Sequence, residues 1–112
     1  MMNAIVENVI LALSNHSITS KKDELYSSFN EDVVYVDIQK EGICFTLSLS
    51  EDTANLSKCI YSFDIGYDWV EVMEVSNYEI QELCSMISKI FDEEIKSVEL
   101  ENEYMNSMNE ND

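Results

Sequence analysis

The chain contains no arginine, and its six lysines stand against twenty-three aspartates and glutamates, which gives a formal net charge of −17 over 112 residues. Arginine is the side chain best suited to bidentate binding of phosphate and carboxylate groups. Neutralisation of phosphates by cationic side chains also supplies most of the non-specific affinity for nucleic acid. The composition therefore argues against direct binding of nucleic acid, nucleotides or acidic substrates.

Glycine, proline and histidine are also scarce. With two glycines and no proline, the chain has neither a glycine-rich phosphate loop nor a proline-rich linker between domains. The one histidine, His16, lies in a polar stretch, and no local pattern pairs it with a nucleophilic cysteine. Carboxylates are so abundant that no pair of them stands out as the acid and base of a glycosidase. We therefore predict that the protein is not an enzyme.

The cysteines do not form a metal or disulfide pattern. Cys44, Cys59 and Cys84 are an odd number and include no Cys-x-x-Cys pair, so they predict neither a zinc site nor a disulfide framework. The acidic segments 64–68 and 92–94 do not match the twelve-residue calcium loop. We expect no metal and no cofactor.

The apolar run at residues 5–13 is too short to cross a bilayer, which takes about 20 residues. It also contains Glu7, has no lysine before it and no small-residue cleavage site after it, so it does not read as a signal sequence. Thiols that form no framework are usual in a reducing compartment. We therefore expect a cytoplasmic protein without a membrane segment.

Hydrophobic residues make up 46% of the chain, which is enough for an ordinary core and argues against disorder. We predict a single domain over residues 1–105 and a flexible acidic tail over residues 106–112. Apolar residues at helical spacing predict an N-terminal helix capped by Asn3. A short second helix would run from Ser20 or Lys21 to Phe29.

From residue 32 the apolar period changes to two, which predicts strands. The alternating runs lie near residues 33–38, 43–50, 59–65 and 69–75, with a polar connection over residues 51–57 and a turn over residues 66–68. Ser76 and Glu79 then form the pattern of a capping box that opens a long amphipathic helix, expected to fray between Leu100 and Tyr104. The predicted fold is α+β: a four-stranded antiparallel meander with the C-terminal helix packed on one face.

The negative charge is concentrated in the second part of the chain. Residues 1–30 hold three acids and two lysines (net −1), whereas residues 31–112 hold twenty acids and four lysines (net −16). No basic residue lies between Cys59 and Ser88. Carboxylates recur about every 6.6 Å along a strand face and about every 5.4 Å along a helix face, so two adjacent rows would approximate a phosphate track.

This acidic region supplies the candidate partner-binding residues. Tyr67 and Trp69 are included because aromatic side chains are favoured interface anchors, and we expect both to flank Asp68 in an exposed turn. The alternative is that the carboxylates are only the solvated surface of a strand-rich domain. The full set of candidates is Asp64, Tyr67, Asp68, Trp69, Glu71, Glu74, Glu79, Glu82, Asp92 and Glu93.

The profile of size, charge and element order resembles the small acidic inhibitors of phages and mobile elements, of anti-CRISPR and anti-restriction type. The resemblance covers the whole chain only as a profile, without a shared motif. It implies a non-enzymatic, stoichiometric inhibitor whose acidic surface mimics nucleic acid. Its partner would be a basic nucleic-acid-binding protein such as a nuclease or a CRISPR effector.

Two alternatives stay open at this point. An immunity protein that neutralises a cognate nuclease toxin would use the same electrostatics, and an acidic secretion-type chaperone would bind an unfolded segment along apolar grooves. A homodimer is also compatible with the sequence. The second face of the sheet separates these hypotheses: an apolar stripe of Val33, Tyr35 and Ile60, with Met73 alongside, would favour a chaperone or a dimer. Acids with serine and threonine on that face would favour the mimic.

Overall fold

The computed structural model describes the backbone of residues 2–24 and 32–110, and the side chains as far as Asn106. Two helices flank five strands in the order α1 (Met2–Ser14), β1 (Thr19–Lys22), β2 (Val34–Lys40), β3 (Ile43–Leu49), β4 (Thr53–Ser62), β5 (Gly66–Ser76) and α2 (Ile80–Glu110). The strands form one sheet in the order β1-β2-β3-β4-β5, and each neighbouring pair is antiparallel. The fold is therefore α+β, as predicted, with one strand more than predicted.

The additional strand is β1. After α1 the chain reverses at Ser17, whose φ of 61° is left-handed, and Ile18 is buried directly after it. Thr19 then pairs with Gln39 and Lys22 with Val36 along the edge of β2. The predicted second helix is wrong where it falls on β1, because pairing with β2 overrides the weak local helix propensity. Beyond β1, Glu24 is helical, and residues 25–29 of that prediction lie outside the described residues.

Strand β4 begins earlier than predicted. The segment 51–57 was expected to be a polar connection, but β4 starts at Thr53 because Ala54 and Leu56 are both completely buried. Their polar neighbours Asn55 and Ser57 point to the opposite face, as the period of a strand requires. The two apolar positions in this polar segment were the overlooked signal.

The hairpin turn between β4 and β5 also differs from the prediction. It is formed by residues 63–65, so residues 66–68 belong to β5. Tyr67 and Trp69 therefore do not flank Asp68 in a turn. They lie on one face of β5, opposite Tyr61 and Cys59, and Asp68 lies on the other face.

The core lies between the two helices and one face of the sheet. Phe91 of α2 packs edge-on against Phe45 of β3, with the ring centroids 5.0 Å apart. This layer contains the apolar stripe of α2 and the alternate apolar positions of the strands, both of which were predicted from the sequence. The buried side chains are Val6, Val9, Ala12, Leu13, Ile18, Val34, Val36, Ile38, Phe45, Leu47, Leu49, Ala54, Leu56, Leu83, Cys84, Ile87 and Phe91.

Helix α2 is capped by Glu79 and not by Ser76, which is the last residue of β5. The Glu79 carboxylate accepts hydrogen bonds from the backbone N–H groups of Gln81 and Glu82, at 3.1 and 3.0 Å. These are two of the amides that a helix start leaves without a partner. The helix continues to Glu110, beyond its predicted end. The flexible tail predicted for residues 106–112 lies largely outside the described side chains.

Helices α1 and α2 cover one face of the sheet, and we call the other face, which neither of them covers, the open face. The register places Tyr35, Thr46, Asn55 and Trp69 on the open face. Ile60 and Met73 were expected on the same face as Tyr35. They lie on the helix-covered side instead, because Met73 pairs with the buried Leu56 and the strand alternation places Ile60 on that side.

The hairpin β4–β5 extends beyond the rest of the sheet. Strand β3 pairs with β4 only from Ala54 to Ser57, whereas the pairing of β4 with β5 continues to Ser62 and Gly66. We call the projecting segment, residues 58–70, the hairpin arm. The molecule is elongated, with principal extents of 59 × 34 × 22 Å.

A matched pair of substitutions in α2 tests the position of the core. Leu83 is completely buried and Leu100 is 56% exposed. We expect Leu83→Ala to lower the free energy of unfolding by about 2–5 kcal/mol. Leu100→Ala should change it by less than about 0.5 kcal/mol. Urea denaturation of both variants measures the difference, and equal losses would show that α2 does not pack as described.

Candidate protein-binding surface

The lysines compensate little of the negative charge. Three of the six form ion pairs in the described part of the chain, namely Lys22–Glu24 at 3.7 Å, Lys40–Asp92 at 3.4 Å and Lys58–Glu94 at 3.0 Å. Such solvent-accessible pairs contribute about 0–1 kcal/mol each. Of the candidate partner-binding residues, Asp92 is thus already beside a cation.

Four of the predicted residues share the open face of β5. Tyr67 and Trp69 lie on the arm, and Glu71 and Glu74 follow them along the same edge strand. A β-bulge opposite Leu56 and Ser57 interrupts the alternation, so the two glutamates are three residues apart and still on one face. The Asn55 side-chain amide donates a hydrogen bond to the Glu71 carboxylate.

The other six predicted residues lie elsewhere. Asp64 is in the turn of the arm and Asp68 is on its helix-covered side. Glu79 caps α2 and Glu82 follows in its first turn, while the two mid-helix positions are Asp92 and Glu93. Because α2 packs against the face opposite Glu71 and Glu74, a strand row and a helix row of carboxylates cannot form one surface. The ten residues form several groups around the molecule.

The arm exposes a cluster of aromatic rings. The ring centroid of Tyr61 lies 5.9 Å from that of Phe63 and 5.0 Å from that of Tyr67. Phe63 is 96% exposed, and Ile65 beside it in the turn is exposed as well. The only cation of the arm, Lys58, is paired with Glu94 at its base. The charged residues of the outer part of the arm are therefore Asp64 and Asp68, and they lie among aromatic and apolar side chains.

Phe63 and Ile65 were not among the predicted site residues, because they read as the inward positions of an ordinary strand. A run of alternating apolar residues does not reveal whether anything packs against it. The alternating run 43–50 on the far side of segment 51–57 is as long as the run 59–65, so run length gave no signal either. The strand register decides the exposure, because β3 pairs with β4 only as far as Ser57.

Sequence analysis also did not anticipate a depression on the open face. A cavity of about 350 Å³ is lined by two rings, two carboxylates and three hydroxyls, and we call it the Trp69 depression. A second cavity of about 460 Å³ adjoins it and shares Asp37, Thr46 and Trp69 with it. The lining residues of the Trp69 depression are Asp23, Tyr35, Asp37, Thr46, Ser48, Ser57 and Trp69.

Neighbouring strands bring these side chains together. Asp37 and Thr46 are cross-strand partners, and the Thr46 hydroxyl donates a hydrogen bond to the Asp37 carboxylate at 3.4 Å. Asp23 follows β1 and its backbone N–H donates to the Tyr35 carbonyl at 2.8 Å. Since the polar members occupy alternate positions of β2, β3 and β4, their sequence signal was the same alternation that defined the core.

The described residues contain no group of three or more histidine, cysteine, aspartate or glutamate side chains arranged to hold a metal ion. The three thiols are separated in the fold: Cys44 and Cys59 are exposed, while Cys84 is buried in the core. Burial, and next to it the negative charge of Glu79, raises the pKa of Cys84 from 9.0 to about 11. Cys84 is accordingly a core residue in its neutral form.

No helix in the described ranges is long and apolar enough to cross a membrane. Comparison of the chain with protein-family models, with curated proteins and with solved structures gives no match. Function therefore has to be argued from the chemistry of the chain's own surface. That surface offers two distinct features, the hairpin arm and the Trp69 depression.

The shifted pKa of Cys84 predicts a loss of stability at alkaline pH. The folded state holds the thiol proton until about pH 11, whereas the unfolded thiol loses it near pH 9.0. The protonated thiol contributes about 2–3 kcal/mol to the free energy of unfolding. This contribution is complete below pH 9 and is lost between pH 9 and 11. Urea denaturation across this range should show a shallower pH slope for Cys84→Ala than for wild type. The exposed-site control Cys44→Ala should keep the wild-type slope, and identical slopes for all three proteins would contradict the assignment.

Proposed function

We propose that the protein is a non-enzymatic, stoichiometric inhibitor that binds a basic nucleic-acid-acting protein in the cytoplasm, in the manner of anti-CRISPR and anti-restriction inhibitors. One observation carries this proposal: the hairpin arm projects from the sheet with Tyr61, Phe63 and Tyr67 exposed and with no cation beyond Lys58. A partner that accepts this arm has to offer apolar contacts and positive charge together. A nucleic-acid groove lined with lysine and arginine does so.

The shape of the arm fits insertion into such a groove. A two-stranded ribbon has its strands only about 4.8 Å apart and is narrower than a duplex. Asp68 lies on one side of the ribbon, and Glu71 and Glu74 follow on the other. The arm, together with the part of β5 that follows it, therefore presents negative charge to both walls of a groove. This arrangement replaces two parallel rows of carboxylates as the basis for the proposed mimicry.

The aromatic rings supply the affinity that exposed charges lack. Surface ion pairs are weak and are screened by salt, so the carboxylates mainly accelerate association. Tyrosine and tryptophan are the residues that most often anchor an interface. Tyr67 and Trp69 stand on the same face as the acids that would steer the partner towards them. An immunity protein that neutralises a nuclease toxin would act by the same mechanism on a different target.

The open face gives no support to the chaperone alternative. Ile60 and Met73 are absent from it, and where β3 pairs with β4 its residues are Thr46, Ser48, Asn55 and Ser57. Self-association is opposed by charge, since two copies would bring −34 together from twice −17. A basic partner relieves that repulsion instead of doubling it.

Capture experiments with charge-reversed variants test the proposal. The immobilised chain is exposed at about 50 and 500 mM salt to lysate of the cells in which it acts. We expect it to retain a basic nucleic-acid-binding protein that is released at the higher salt, where the Debye length falls to a few ångströms. With the purified partner, Asp68→Lys/Glu71→Lys/Glu74→Lys should lower the association rate by at least about tenfold. An equimolar amount of wild-type chain should also displace nucleic acid from that partner.

The matched control carries the same change of net charge elsewhere, in Glu7→Lys/Glu41→Lys/Glu51→Lys, and should retain most of the association rate. Equal losses in the two variants would show that the arm is not the binding surface. Retention that does not change between the two salt concentrations, or a partner that does not act on nucleic acid, would refute the proposed function.

Substitution at the tip of the arm separates affinity from folding. Phe63 is 96% exposed, so Phe63→Ala should leave the melting temperature unchanged. If Phe63 is an anchor, the variant should dissociate about 30-fold faster from the partner, as expected for loss of about 2 kcal/mol at a hot spot. Tyr104→Ala, at an aromatic position on α2 that is 67% exposed, serves as the control and should dissociate as wild type does. Unchanged dissociation of Phe63→Ala would remove the tip from the interface.

A further inference from the structure

We infer that the Trp69 depression is a receptor for an arginine side chain of the basic partner. This inference rests on the proposed function and names the chemical group that the open face recognises. The depression has a volume of about 350 Å³, which is ample for a guanidinium group and its aliphatic stem. It adjoins the hairpin arm, because Trp69 belongs to both, so a partner that grips the arm lies within reach of it.

The two rings supply the first half of the recognition. Trp69 is 60% exposed, and it shares the depression with the half-buried Tyr35. A guanidinium plane stacks on an aromatic face, and tryptophan provides the strongest such contact. The apolar stem of an arginine would at the same time cover ring surface that is now in contact with water.

The oxygen atoms supply the second half. Asp37 and Asp23 place two carboxylates in the depression, and Thr46, Ser48 and Ser57 add three hydroxyls that can accept hydrogen bonds. A guanidinium group has five N–H donors in a planar fork, which suits several acceptors around one wall. All seven lining residues are neutral or anionic, so no cation lies in the depression itself.

The nearest cation of the sheet face gives the inference a specific consequence. Lys21 is the cross-strand partner of Asp37 and lines the neighbouring cavity. The three ion pairs found within 4 Å in the described part of the chain do not join these two residues. Lys21 therefore repels an arriving guanidinium group without occupying its site. Its removal should strengthen binding at this depression.

Trp69 is the only tryptophan of the chain, so all tryptophan fluorescence comes from this one side chain of the depression. The probes are blocked hexa-arginine and hexa-lysine peptides, titrated into the full chain at about 50 mM salt. We expect the arginine peptide to change the Trp69 emission and to protect Trp69 from quenching by acrylamide. It should also bind at least about threefold more tightly than the lysine peptide. Equal affinities with unchanged Trp69 emission would overturn the inference.

Two pairs of variants with matched charge localise the effect. Asp37→Asn should weaken the arginine peptide about three- to fivefold, as for an exposed charge pair, whereas Glu7→Gln should weaken it less than twofold. Lys21→Gln should strengthen it about two- to threefold, and more than the exposed-site control Lys89→Gln does. If the members of each pair behave alike, the peptide is held by the general field and the arginine site is wrong.

The outcomes keep this inference separate from the proposed function. Binding of both peptides without any response from Trp69 or Asp37 would refute the arginine site and leave the arm as the interface. If calorimetry at low salt detects binding of neither peptide, the surface does not bind cationic partners. That result would refute both the proposed function and this inference.

Discussion

The packing of α2 against a single face of the sheet is the contact on which the rest of the structure depends. Phe91 and Leu83 bury one side of the strands, and the strand alternation then sends every second side chain to the other side. The open face, with Trp69 and Asp37, lies on the side of the sheet that neither α1 nor α2 covers. Beyond Ser57, β3 no longer pairs with β4, and the β4–β5 hairpin continues without a third strand as the hairpin arm. The packing of the sheet thus determines the position of the hairpin arm and of the Trp69 depression.

The charge of −17 is tolerated because the carboxylates of the described residues lie outside the core. No buried charged side chain occurs among those residues, so self-repulsion acts across solvent, where it is screened. The three ion pairs are at or near the surface and compensate few acids. A field of this kind is available to steer a cationic partner, while the exposed rings of the arm offer the contacts that hold it.

Much of the fold could be predicted from local patterns. The stripe of α2 and the alternation in β2 and β3 identified the core face and the α+β class. The prediction was wrong for β1, where a lysine-containing segment becomes a strand only through pairing with β2. It was also wrong for Thr53–Ser57, because Ala54 and Leu56 were obscured by polar neighbours. All eight candidate acids are exposed, whereas Asp23 and Glu94, which were not among the candidates, are partly covered.

The sign and concentration of the charge, the lack of arginine, and the apolar periods of the helices and strands follow from the order of the residues alone. These are properties of composition and of neighbouring residues, which act within a few positions of each other. Three other features arise only when the chain is folded: which carboxylates share a surface, the opposite directions of Asp68 and Trp69, and the exposure of Phe63 to solvent. Those outcomes depend on strand register and on where β3 ends, and both are set by contacts between segments that are distant along the chain.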